Sequence, residues 1–197
     1  MRRLLFALAA VAAAFVFGGC ADPEVMSEVL QQTQDQRIYT RYNLWYLNPA
    51  EISCLNIQQG SFLPLGSEIE PIGTSYSMIT GKSTVSFRDM DGREYTIIFD
   101  PGYRLCSLRD YISATFTTEP PEEMLKGIPP ATLERIKAGQ VVAGMGRRDV
   151  LLAYGPPPAV RTPDLRNETW MYWLTPSETA RVIFRGDTVR NVLNLNE

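Results

Sequence analysis

Between Gly146 and the stop at Gly155-Pro156-Pro157, the chain has room for a helix of only two turns. So short a helix is marginal alone, because nucleating the first turn costs more than its few hydrogen bonds return. It must pack on something, and its own residues say how. With Gly146 as N-cap, Met145 falls at N′ and Val150 at N4, the positions of a hydrophobic staple. Asp149 puts negative charge in the first turn, where the helix dipole favours it. Val150, Leu151 and Tyr154 give one apolar face. Gly155 suits the left-handed residue that ends a helix, and the two prolines forbid continuation.

The partner of this helix follows it directly. Residues 168–173 and 179–184 alternate as strands, Gly186-Asp187 makes a turn, and residues 188–193 read as a third strand. Upstream, Pro129 and Pro130 suit the first turn of a helix over 131–138, closed by Gly139. Two short helices and a three-stranded meander make residues 130–197 one α+β unit, ααβββ in order.

Residues 38–116 read differently, as a β-rich unit. Tyr42, Leu44 and Tyr46 share one face of an alternating stretch, and residues 52–57 follow as a strand. Gly60 and the Pro64-Leu65-Gly66 turn lead into strands over 67–72, 76–80 and 84–88. Asp91-Gly92 is a hairpin signal before residues 94–99. Strands this short and this closely spaced predict a small closed barrel, with a helix over 105–116 at its end. Trp45, Tyr46 and Tyr76 could line a groove on it; the plainer alternative is cross-strand packing. Thr117-Thr118-Glu119-Pro120-Pro121 opens a linker over 117–129. Acidic residues outnumber basic ones before residue 130, and the reverse holds after it.

The N-terminus is an export signal over residues 1–19. Arg2 and Arg3 precede an unbroken apolar run from Leu4 to Phe17, then Gly18, Gly19 and Cys20. The run is short for a membrane span, which needs about 20 residues. Residues 20–37 read as a tether rich in glutamine, although Val25, Met26, Val29 and Leu30 could form a narrow helical stripe.

The chain has no histidine. That removes the commonest general base, the commonest metal ligand and every Ser-His-Asp or Cys-His arrangement. Asp89 with Asp91, and Glu122 with Glu123, sit in turn or linker settings and read as surface charge. A Ser-Lys dyad would need Lys82, Lys126 or Lys137, and no flanking pattern supports one. The expectation is a protein that is not an enzyme and needs no cofactor or metal. A net charge of −3 offers no basic excess for nucleic acid. With 45% hydrophobic residues the chain can bury a core. In an exported chain the leftover cysteines, Cys54 and Cys106, are expected to pair as a disulfide; two separate buried thiols are the alternative. The C-terminal unit also concentrates arginine. Arg161 and Arg166 lie on a loop, with Arg181 and Arg185 on a strand whose alternation sets them opposite Val182 and Phe184. Trp170 or Trp173, whichever faces out, would add an anchor to a binding face for an acidic partner or an anionic headgroup. A solvated outer face is the alternative.

Three stretches resemble known patterns. Gly18-Gly19-Cys20 resembles a lipobox, which implies cleavage before Cys20 and lipid on its thiol and amine. Multiple acyl chains give stable anchoring. Ala21 after the cysteine resembles the default for the outer membrane, with the protein facing the periplasm. The stretch from Gly60 through Ile72 resembles bacterial SH3-like domains, which implies recognition of peptidoglycan or a peptide. Gly144-Met145, Asp149-Val150, Tyr154-Gly155-Pro156-Pro157, Trp170 with Tyr172, and Val182, Phe184, Gly186 and Val189 resemble, in order and spacing, the SmpA/OmlA or BamE-like lipoprotein domain. Gly146 departs from that pattern, where Ser or Thr is preferred, and so does Tyr154, where Leu is usual. This resemblance implies a non-enzymatic accessory of outer-membrane β-barrel assembly that contacts other subunits and anionic lipid.

Overall fold

The computed structural model describes residues 24–196; the export signal and Cys20 lie outside them. The helices are α1 (Glu24–Val29), α2 (Pro101–Arg104), α3 (Leu108–Thr115), α4 (Pro121–Met124), α5 (Pro130–Lys137) and α6 (Arg147–Tyr154). The strands are β1 (Ile38–Thr40), β2 (Leu44–Tyr46), β3 (Ile52–Ser53), β4 (Ser61–Leu63), β5 (Glu68–Ser77), β6 (Lys82–Asp89), β7 (Glu94–Phe99), β8 (Phe116–Thr117), β9 (Thr169–Thr175), β10 (Glu178–Arg185) and β11 (Thr188–Asn196). The fold is α+β. A curled six-stranded sheet runs β3-β7-β6-β5-β1-β8, β2 pairs with β4, and a second sheet runs β11-β10-β9.

β6 and β7 are paired on both sides within the larger sheet, and each turns alternate residues to one buried face. Val85 and Phe87 of β6 and Tyr95, Ile97 and Phe99 of β7 enter a core completed by Ile38, Leu44, Ile52, Ile69, Ile112 and Phe116. Phe87 stacks on Tyr95 at 5.4 Å and meets Phe116 edge-on at 5.2 Å. The hairpin between these strands is the one Asp91-Gly92 signals. Gly92 has φ 84°, and the Asp89 carboxylate accepts the N–H groups of Asp91 and Arg93.

Four expectations need correction in this half. The strands expected at 67–72 and 76–80 are one strand, β5. A bulge between Pro71 and Gly73 absorbs the proline, which has no N–H for the ladder. The barrel does not close by hydrogen bonds, since β3 and β8 are the two ends of the sheet. The strand expected to run from 52 to 57 stops at Ser53. Asn56 takes φ 53° and its side-chain oxygen accepts the Trp45 N–H, which turns the chain away. Finally, residues 24–29 are α1 and not a tether. Met26 is buried in the first core with Val25, Val29 and Leu30 packed on it, so the apolar stripe wins over the polar residues around it.

The second core lies between α5, α6 and the β9–β11 sheet. Ile136, Val141, Met145, Val150, Ala153, Trp170, Tyr172, Val182, Phe184 and Val189 form it. Helix α6 has the ends its residues foretell. The Asp149 carboxylate accepts the Gly146 N–H at 2.8 Å, and Gly155 has φ 74°. Met145 and Val150 are both buried, each contributing roughly 1.5–3 kcal/mol. That packing offsets the weakness of so short a helix.

Two buried asparagines join the cores. Asn43 donates from Nδ2 to the carbonyls of Ile136 and Ala153 and accepts the Leu65 N–H on Oδ1. Asn56 donates to the carbonyls of Asn43 and Tyr154. Glycine lets the halves approach: a Cβ on Gly155 would lie 2.7 Å from the Tyr42 ring. Residues 117–129 are packed at this junction. Thr117 and Met124 are buried, and Arg148 donates to the carbonyls of Met124 and Lys126.

Candidate functional site

Strand β10 sorts its residues by alternation. Val182 and Phe184 enter the core, so Arg181, Ile183 and Arg185 occupy the opposite face of the sheet. On that face Met171 of β9 and Leu193 of β11 flank Arg181, and Thr169 and Asn191 flank Ile183. Trp173 pairs with Thr179, two residues before Arg181 on the same face. The guanidinium of Arg161 lies over the Trp173 ring, 5.4 Å from its centre, which brings a loop cation to the edge of the sheet. Among the described residues neither Arg181 nor Arg185 has a carboxylate partner. Both charges are exposed and available without breaking an ion pair. Half-buried Met171, Trp173 and Ile183 supply apolar surface between them.

The other expected members of this face sit elsewhere. Trp170 is only 1% exposed and belongs to the core: it packs on Phe184 at 4.6 Å, and its indole N–H donates to the Leu165 carbonyl. Trp173 is the tryptophan that faces out. Arg166 is exposed but engaged. It grips Asp164, two residues earlier on its own loop, at 2.6–3.0 Å, and this holds the Asp164 carboxyl down at about 2. Arg166 clamps its loop and is not part of the sheet face.

The cysteines are free thiols, which corrects the expected disulfide. Cys54 is buried and its sulfur accepts the Asp100 N–H at 3.4 Å; Cys106 is partly exposed. Arg104, two residues before Cys106, donates from Nε to the Cys54 carbonyl. Burial pushes both thiols up, so neither is a ready nucleophile.

The aromatic groove expected in the first half is only partly assembled. Trp45 and Tyr46 line one small cavity, whereas Tyr76 is exposed near the β5–β6 turn with Met78 and Ile79. Trp45 packs on Phe62 at 4.6 Å, and Tyr46 meets Tyr95 edge-on at 5.6 Å. Asp89 serves its turn and accepts the Tyr95 hydroxyl. Lys82, Lys126 and Lys137 each sit against a carboxylate, at 3.3, 3.1 and 3.7 Å.

Sequence reading missed Arg104, Asn43, Asn56 and Arg147, all of which hold segments together. Arg147 lies under the sheet, 4.3 Å from the Phe184 ring centre, and donates to the carbonyls of Leu165, Asn167 and Gly186. Its place in the first turn of α6, beside Asp149, gave no sign of that reach. No helix among the described residues is long and apolar enough to cross a membrane. No protein-family model, curated protein or solved structure matches the chain.

Proposed function

We propose that this chain is a lipid-anchored, non-enzymatic scaffold of the outer membrane. It faces the periplasm and holds a protein partner with an acidic surface; its most concrete form is an accessory of β-barrel assembly. One observation carries the reading: Arg181 and Arg185, unpaired, stand on the open face of the C-terminal sheet beside the Arg161–Trp173 pair. Arginine forks suit carboxylates, and an outward tryptophan is the kind of anchor that interfaces favour. Two further features support it. The signal-like residues before Cys20 imply attachment to a membrane. The order of two short helices and a three-stranded meander agrees with the BamE-like arrangement implied by the resemblance, and the β-rich half before it is read as SH3-like.

Co-purification from membranes in mild detergent tests this reading. The wild-type chain is expected to bring down barrel-assembly subunits. Retention on isolated cell wall without them would favour peptidoglycan recognition by the β-rich half. Binding only to anionic vesicles would make the arginine face a headgroup site. Attachment has its own test: Cys20→Ser is expected to accumulate as unprocessed precursor without palmitate label. Normal processing and labelling of that variant would contradict the anchor.

A further inference from the structure

The β5–β6 hairpin ends in the most exposed pair of large apolar residues among those described. Met78 is 90% exposed and Ile79 97%, with Tyr76 at 64% on the strand beside them. The turn does not need this pair. Ser77, Thr80 and Gly81 hold it: the Gly81 N–H donates to the Ser77 carbonyl at 2.8 Å, the Thr80 N–H donates to the Ser77 hydroxyl at 3.3 Å, and Gly81 takes φ 67°. Turns favour glycine, proline and small polar residues, and Met78 and Ile79 belong to neither core. The turn is also set forward. β7 follows β6 only as far as Ser83, and β1 pairs with β5 only at Glu68 and Ile69, so the last pair, Ser77 with Lys82, stands beyond both neighbours.

Charge narrows what such a tip can meet. No carboxylate occurs from Pro71 to Arg88, in a chain of net charge −3, and Lys82 at the base of the turn already meets Asp100 at 3.3 Å. The tip is apolar, close to neutral and backed by the hydroxyls of Ser77, Thr80 and Ser83. A specific protein interface buries about 800 Å² per partner, far more than two residues on a convex turn present. A bilayer surface surrounds a tip of any shape, and binding there grows with the apolar area buried. Distance favours the same partner. In the proposed attachment only residues 20–23 separate the lipid from α1, at most about 14 Å of extended chain. α1 packs against β5 and the first core, so the β-rich half is held close to the membrane. We propose that Met78 and Ile79 insert into the outer edge of the hydrocarbon layer, with Tyr76 at headgroup depth, where amphipathic rings are favoured. With Lys82 already paired, apolar burial drives the insertion rather than attraction to anionic headgroups. The inference rests on the membrane attachment of the proposed function and shares no residue with the arginine face.

The test places a reporter at the tip, as Ile79→Trp, in the mature chain on vesicles of phosphatidylethanolamine and phosphatidylglycerol with brominated acyl chains. Two tethers are compared: the chain's own lipid, and an N-terminal hexahistidine on nickel-chelating lipid in a Cys20→Ser chain. The second tether reads the tip whether or not Cys20 carries lipid, so failed attachment and failed insertion are separate results. The wild-type chain on the same vesicles supplies the background of its 3 tryptophans. On both tethers the extra emission of Ile79→Trp is expected to shift to shorter wavelength and to be quenched by bromine. High salt, or phosphatidylcholine in place of phosphatidylglycerol, is expected to leave the quenching unchanged. Adding Met78→Asp is expected to abolish both signals without lowering the melting temperature, since that side chain is 90% exposed. Extra emission that stays at long wavelength and unquenched on a vesicle-bound chain would overturn the proposal. Quenching that disappears in high salt or on neutral vesicles would also overturn it, by assigning the contact to cations. A shift without quenching, seen only when solubilised membrane proteins are added, would overturn it in favour of a protein partner.

Discussion

Asn43 is buried in the middle of the molecule and spends its amide on backbone of both halves. It accepts from Leu65 of the first and donates to Ile136 and Ala153 of the second. Removing that amide strands three buried backbone groups at once. Asn43→Ala is therefore expected to cost about 3 kcal/mol, read as a lower urea midpoint with an unchanged slope. A variant within a few tenths of wild type would show that water can replace the amide. Nothing in Tyr42-Asn43-Leu44 marks this role, since asparagine in sequence speaks for turns and its partners lie far along the chain. Arg166 is the opposite case, an interaction made within one loop. Asp164 titrates at about 2 beside it, against an ordinary 3.8. Its folded value is depressed, so its contribution is fully present above pH 3.8 and lost as pH falls through about 2. Arg166→Ala is expected to return Asp164 to the ordinary carboxylate range in an NMR titration. An Asp164 that stayed near 2 would mean that the backbone N–H of residue 166, which also bonds it, is the main cause.

At the scale of elements, helix α6 was legible because every signal that bounds it is local: a staple at Met145 and Val150, a carboxylate at Asp149, a glycine-proline stop. One of its features is suboptimal. Gly146 caps it with extended φ −80° and no side-chain bond of its own. A Cβ there would come no closer than 3.4 Å, to the Asp149 carboxylate. Gly146→Ser therefore fits, and is expected to stabilise the protein by about 0.5 kcal/mol through a real cap and a less flexible unfolded chain. A fall in melting temperature would mean that the serine displaces Asp149 from the Gly146 N–H. The strands were less legible. The bulge in β5 depends on how β6 pairs with it, and pairing is not written in β5 alone. In β9 both faces carry large apolar residues, Trp170 and Tyr172 on one and Met171 and Trp173 on the other. Alternation gives the two sets, but only contact with Val182 and Phe184 decides which goes inside. The disulfide failed for a reason of the same kind. Two cysteines left over in an exported chain invite pairing, but whether their thiols meet is decided by the fold, and here both are free.

At the scale of the whole molecule, two hydrophobic cores meet at a polar seam, and each contributes a surface. The C-terminal sheet shows its arginines to solvent, and at the seam a cleft opens that is lined by Tyr42, Met124, Leu151 and Leu152 together with Arg41, Glu119 and Arg148. Fold alone does not fix function, so the scaffold reading must stand on its surface chemistry. Exposed charges at the rim of an interface act mainly on association rate and salt dependence, and their effect is screened as ionic strength rises. The most direct measurement is therefore co-purification of the lipidated chain at low and high salt, comparing wild type with the double variant Arg181→Glu, Arg185→Glu. Both positions are exposed and unpaired, so the variant is expected to fold and reach the membrane like wild type. It is expected to lose its partner at low salt, and the wild type is expected to release the partner progressively as salt increases. A folded, correctly localised double variant that keeps the same partner at every salt concentration would contradict the assignment and leave the arginines as ordinary solvated surface.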